Sequence, residues 1–194
     1  MCEDPFQDEC DVARLTHGHP SGYLVSGAFA LIISRVMCGD ALLDASRVAL
    51  AVLCEHDGHA ETTGAISSAL DLATGHKPSA NAVESLGEGW VAEEALAIAL
   101  YCALVADDFR HGVLLAVNHS GDSDSTGSMA GQLLDAEHGI ERIPPDWIAG
   151  LEGRDVIERI TEDLIQHFVV PAQMSDEERH RWLGPRDMDR YPPN

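Results

Sequence analysis

VAEEALAIALYCALVA, residues Val91 to Ala106, decides the fold class. Alanine, leucine and glutamate are strong helix formers, and no Gly, Pro or β-branched cluster interrupts the run, so it is expected to form a long helix. On its upstream side Gly87-Glu88-Gly89-Trp90 reads as a loop, and on its downstream side Asp107 or Asp108 is placed to cap a further helix from Phe109 to about Asn118. The polar stretch HSGDSDSTG then interrupts as a flexible loop before a helical pattern resumes over Ser128 to Glu137. Toward the N-terminus, Pro78 to Ser85 reads as a short helix, Glu61 to Thr74 as a helix closed by Gly75, and His56-Asp57-Gly58-His59 as a turn. Asp40 is expected to cap a helix reaching about Cys54, with Leu42, Leu43, Val48, Val52 and Leu53 on its apolar face. Gly39 ends the preceding helix, SGYLVSGAFALIISRVM (Ser21 to Met37), whose small residues permit close helix approach. The opening residues read as acidic and irregular. After Pro144-Pro145 a last helix is expected from about Asp155 to Phe168, followed by a polar, Pro-rich tail over 171–194. No stretch alternates as a strand must, and no internal repeat or linker stands out. The reading is one all-α domain over residues 1–194.

Composition narrows the function. The chain has 194 residues, 45% hydrophobic, enough for a real core. Twelve Lys+Arg against 33 Asp+Glu give a formal charge of −21, a field that repels phosphate backbones and anionic lipid surfaces. Nucleic acid and membranes are therefore not expected partners. No apolar run reaches the roughly 18–20 residues a membrane span needs, and MCEDPFQDEC is acidic where a signal peptide is basic, so a soluble cytoplasmic protein is expected. Cys2, Cys10, Cys38, Cys54 and Cys102 form no CxxC and mostly lie in apolar stretches, as reduced buried thiols do.

The chemistry concentrates in Asn118-His119-Ser120-Gly121-Asp122-Ser123-Asp124-Ser125-Thr126-Gly127. Two like charges two residues apart repel, and a hard divalent cation with oxygen ligands, Mg²⁺ or Mn²⁺, relieves that repulsion. The competing reading is a solvated turn in which Asp124 or Ser125 caps the helix that follows. A calcium-binding EF-hand is excluded: the twelfth position counted from Asp122 is Leu133, where a bidentate Glu is required. His56 and His59 have a spacing that zinc accepts, but no further ligands cluster with them, and a surface turn is the simpler reading.

Four segments in order resemble the ADP-ribosylglycohydrolase family: LTHGHP (Leu15 to Pro20), GEGWVAEEALAIAL (Gly87 to Leu100), NHSGDSDSTGSMAGQLLDAEHGIERIPPDW (from Asn118) and WIAGLEGRDVI (Trp147 to Ile157). Together they cover about residues 11–170. The resemblance implies an all-α fold and hydrolysis of the glycosidic bond at the anomeric carbon of ADP-ribose conjugates at a two-metal Mg²⁺ or Mn²⁺ site. It makes Asp122 and Asp124 metal ligands, and Ser125 a hydroxyl ligand where many relatives have Thr. Cations there would neutralise the paired carboxylates, orient ribose hydroxyls and polarise a water. His17, in Thr16-His17-Gly18, matches a cleft histidine near ADP-ribose; a helix-capping role is the alternative. Trp90 would border the substrate cleft, or else plug against the helix that follows.

The family's acidic N-terminal segment with its catalytic Glu, its Thr-Asp-Asp metal motif and its pyrophosphate-binding Gly-rich loop are not matched before Thr16. The chain therefore resembles the family's C-terminal half, and no catalytic acid or base is assigned. Three readings follow: half of a hydrolase completed by an N-terminal half, a catalytically incomplete member that binds ADP-ribose, or an interaction module. Apolar stripes left by a missing half would favour a homodimer or assembly.

Overall fold

The computed structural model describes residues 4–75 and 78–169. By packing, the chain divides between Pro144 and Pro145 into two compact units. The first holds α1 (Pro5–Arg14), α2 (Pro20–Met37), α3 (Leu42–Leu53), α4 (Ala60–Gly75), α5 (Ala80–Glu84), α6 (Ala92–Leu104), α7 (Phe109–Val117), α8 (Ser123–His138) and a 3-10 turn, Ile140–Arg142. The second holds α9 (Pro145–Ala149), α10 (Arg154–Leu164) and a π turn, Ile165–Val169. No strand occurs among the described residues. The all-α expectation is met, and the expected tail over 171–194 lies outside the described residues.

The core of the first unit is built around α6. Every residue from Ala95 to Ala103 is buried, so this helix has no solvent face. Such a helix must be wrapped on all sides, and α4, α8, α2 and α7 supply the wrapping. Alternating Ala with Leu, Ile and Tyr keeps the surface low enough for neighbours to approach. Burial pushes the Cys102 thiol up to about 12 and raises Cys10 as well, so neither is a nucleophile near neutral pH. Cys38 and Cys54, by contrast, are exposed at the ends of α2 and α3, a correction to the expectation of mostly buried thiols.

Three local readings are also corrected. The opening is not irregular: Asp4 caps α1 by accepting from the Gln7 amide, and Pro5 occupies the first helical position. Asp40 does not cap α3, because its carboxylate pairs with Arg35 at 2.5 Å and Ala41 takes the cap position. With Pro20 included, α2 reaches 18 residues and is apolar and long enough to cross a membrane by length and composition. Its buried residues Leu24, Val25, Ala28, Ile32 and Val36 mark it as a core helix against α1, α3 and α6.

Close approach of α1 and α2 depends on Gly27. A Cβ added there would lie 2.5 Å from the Cys10 sulfur and 2.7 Å from the Phe6 carbonyl oxygen. Backbone cannot retreat as a flexible side chain can. Gly64, exposed on α4, has nothing within 4 Å. In urea titrations Gly27→Ala is expected to lower stability by about 1–3 kcal/mol. Gly64→Ala is expected to raise it by about 0.5–1 kcal/mol through helix propensity.

Candidate metal and ADP-ribose site

The acidic turn is not a flexible loop. The helix expected from Ser128 begins five residues earlier, at Ser123, and Asp122 rather than Asp124 or Ser125 is its N-cap, accepting from the Ser125 amide at 3.4 Å. Asp124 lies in the first turn, where the helix dipole favours negative charge. The polar composition misled because cap and first-turn residues are the same polar types that loops use.

Asp122, Asp124 and Ser125 are brought together at this helix start. Hydrogen bonding with the neighbouring Asp124 carboxyl holds Asp122 below the usual carboxylate range. The Ser125 hydroxyl and amide and the His119 imidazole act in the same direction, and partial desolvation opposes them. The donors are all oxygen, as a hard cation requires. They amount to two carboxylates and a hydroxyl, and among the described residues no three His, Cys, Asp or Glu side chains form a group able to hold a metal ion. The set fits one part of a cation site and not a closed one.

Behind the turn runs a polar relay that the sequence reading missed. The Gly121 amide donates to His119 Nδ1 at 3.1 Å, so that nitrogen is an acceptor and the ring proton sits on Nε2. Nε2 lies 2.9 Å from the Thr126 hydroxyl, which therefore accepts from it. Thr126 has one proton to give, and its shortest acceptor is the Ala116 carbonyl at 2.7 Å. This ties the end of α7 to the first turn of α8. Thr126 is fully buried, so each of these bonds replaces one to water.

The Gly87–Trp90 loop is the second wall. Gly87 and Gly89 both have positive φ, 122° and 78°. Gly89 sits against α8, where a Cβ would approach the Thr126 methyl to 2.9 Å. The Asp122 amide donates to the Glu88 carbonyl at 2.8 Å, and a side chain at Gly121 would run into that same carbonyl. Trp90 is 67% exposed, so it is not an aromatic plug and stands in solvent one residue from the Gly89 contact.

His17 is held elsewhere, on the α1–α2 connection. Its amide closes the end of α1 on the Ala13 carbonyl at 2.9 Å, and its exposed ring meets the Thr16 hydroxyl at 2.8 Å. The ring caps no helix. His59 Nδ1 contacts the Thr63 hydroxyl at 2.9 Å at the start of α4, and the His56 ring lies 4.7 Å from that of Phe6 on α1, so the two are engaged in separate packing contacts.

The chain matches the ADP-ribosylglycohydrolase family over residues 3–173 and belongs to that family. It is 26% identical over 141 residues to the ADP-ribosyl-[dinitrogen reductase] glycohydrolase of Rhodospirillum rubrum, covering 72% of this chain and 41% of that protein. To the ADP-ribosylarginine hydrolase Tri1 of Pseudomonas putida it is 32% identical over 71 residues, 37% of this chain and 19% of the relative. To human ADP-ribosylhydrolase ARH3 it is 25% identical over 97 residues, 44% of this chain and 27% of the relative. The matched part of the chain thus spans about two fifths or less of the length of each.

Two outcomes test the site as described. Thr126→Val strands the Ala116 carbonyl and the His119 N–H, and is expected to cost about 1–3 kcal/mol in chemical unfolding, with Thr126→Ser recovering most of it. Asp122 has a depressed native value, so its stabilising contribution is complete above the ordinary carboxylate range and fades as pH falls through the depressed one. Accordingly, the stability difference between wild type and Asp122→Asn is expected to be largest near neutral pH and to close on acidification.

Proposed function

We propose that this chain forms one side of an ADP-ribosyl hydrolase site and acts in cleaving the bond at the anomeric carbon of ADP-ribose conjugates. The observation that carries the reading is the surplus carboxylate: one aspartate suffices to cap α8, yet Asp124 stands in the first turn two residues beyond the Asp122 cap, so two carboxylates share one helix start. Family membership supports the same chemistry, and relatives named as hydrolases of ADP-ribosyl groups support the substrate class.

Asp122, Asp124 and Ser125 are the proposed holders of Mg²⁺ or Mn²⁺, which when bound would supply charge neutralisation and polarisation of oxygen ligands. The remaining donors and the proton-transferring group would come from a further segment or a second chain. Within this chain, Asp122 is ionised and oriented by its cap bond, and its backbone is pinned to Glu88. The exposed Trp90 indole offers a flat apolar surface to a base or ribose, and His17 offers a donor to a phosphate or ribose oxygen.

Calorimetric titration of Mn²⁺ into the metal-stripped chain tests this, followed by ADP-ribose. Saturable uptake is expected, and it should be abolished in the Asp122→Asn/Asp124→Asn variant. Equal uptake by wild type and variant, or none by either, would leave the acidic turn a helix cap and overturn the ligand assignment.

A further inference from the structure

We infer that Glu94 is a positioning residue that sets the acidic turn from a distance, through the Gly87–Trp90 loop. Glu94 occupies the third position of α6, where a carboxylate commonly reaches back to free amides. Here a single oxygen, Oε2, accepts from two successive loop amides, Glu88 at 3.0 Å and Gly89 at 3.1 Å. A carboxylate accepting two amides makes charge-assisted bonds, stronger than neutral ones. Gly87 is shaped around the same group: its φ is 122°, and a Cβ there would run into the Glu94 carboxyl carbon.

The loop so fixed delivers one group to the acidic turn, the Glu88 carbonyl. With its amide bound by Glu94, the Glu88 residue presents that carbonyl to the Asp122 amide at 2.8 Å. Asp122 is the residue whose side chain caps α8 at the Ser125 amide, with Asp124 in the turn that follows. Gly121 allows the contact, because any side chain there would displace the Glu88 carbonyl. Glu94 therefore touches neither carboxylate, yet a continuous series of hydrogen bonds runs from its Oε2 to the backbone of Asp122. The same series sets Trp90, the residue after Gly89.

The relay matters for catalysis only if the acidic turn is the hydrolase site proposed above, but the hydrogen bonds stand independently, and the test separates the two. Amide hydrogen exchange read residue by residue is compared in wild type, Glu94→Ala, Glu94→Gln and Gly121→Ala. In Glu94→Ala the Glu88, Gly89 and Asp122 amides are expected to exchange about tenfold faster or more, with those of Leu96 to Ala103 unchanged. Glu94→Gln keeps an accepting oxygen and should restore most of the protection, which a role in bulk alone would not predict. Gly121→Ala should expose the Asp122 amide while leaving Glu88 and Gly89 protected. Unchanged Asp122 protection in Glu94→Ala, or in Glu94→Gln if the alanine variant does not fold, together with faster exchange at Glu88 and Gly89, would reduce Glu94 to a local cap and overturn the inference. In the same preparations, Mn²⁺ uptake weakened about tenfold in Glu94→Ala and recovered in Glu94→Gln is expected. Absence of Mn²⁺ uptake in wild type would sink the metal reading while leaving the exchange result to judge the relay.

Discussion

Burial of α6 from Ala95 to Ala103 is the constraint on which the rest depends. A helix with nine consecutive buried residues and no solvent face along its middle must be enclosed by its neighbours, and only its two ends reach the surface. At the N-terminal end the capping is unusual. Val91 makes no side-chain cap, and Glu94 instead gathers the amides of the loop before the helix. Tied to the helix through Glu94, that loop becomes the wall against which α8 starts. Glycines at positions 87, 89 and 121 are needed because two backbones and a carboxylate share a space with no room for Cβ atoms.

The helical architecture was legible because its signals are local and redundant. Ala-rich runs, cap residues and closing glycines each point to the same element, and α2, α4, α6 and α7 fall within one or two residues of the reading from sequence. Where the reading failed, one local signal was outvoted by another. Asp4-Pro5 is a cap and first-turn pair, but the acidic composition around it obscured α1. Asp40 has the right chemistry for a cap and is taken by Arg35, a competition between groups whose spatial relation no pattern encodes. Cys38 and Cys54 look interior by neighbourhood and are surface by position, since each is the C-cap residue that ends its helix.

The candidate site was legible in part, for a related reason. Asp122, Asp124 and Ser125 announce themselves because like charges at close spacing are costly without an explanation. Trp90 announces itself as an aromatic directly after Gly87-Glu88-Gly89. His119 and Thr126 carry no such mark: a histidine and a threonine in a polar run are ordinary, and only the fold shows that Gly121 fixes the tautomer and Ala116 takes the hydroxyl proton. Glu94 was read as a helix former and nothing more. Its second role depends on how the chain before it turns back, which is a property of two positive-φ glycines and not of the glutamate.

Electrostatics gives the acidic turn its direction. In a chain of net charge −21, an additional carboxylate pair is disfavoured by the field of the whole molecule, and a helix N-terminus offsets only a fraction of a unit charge. One aspartate uses that offset as a cap. The second adds a like charge two residues further on, in the first turn of the same helix. The backbone of the turn is fixed from three sides, by the His119–Thr126 relay behind it, by the Glu88 carbonyl beside it and by the helix beneath it. Two carboxylates on a backbone fixed in this way gain from an external positive charge, and the fixed backbone distinguishes the turn from acidic residues elsewhere on the surface.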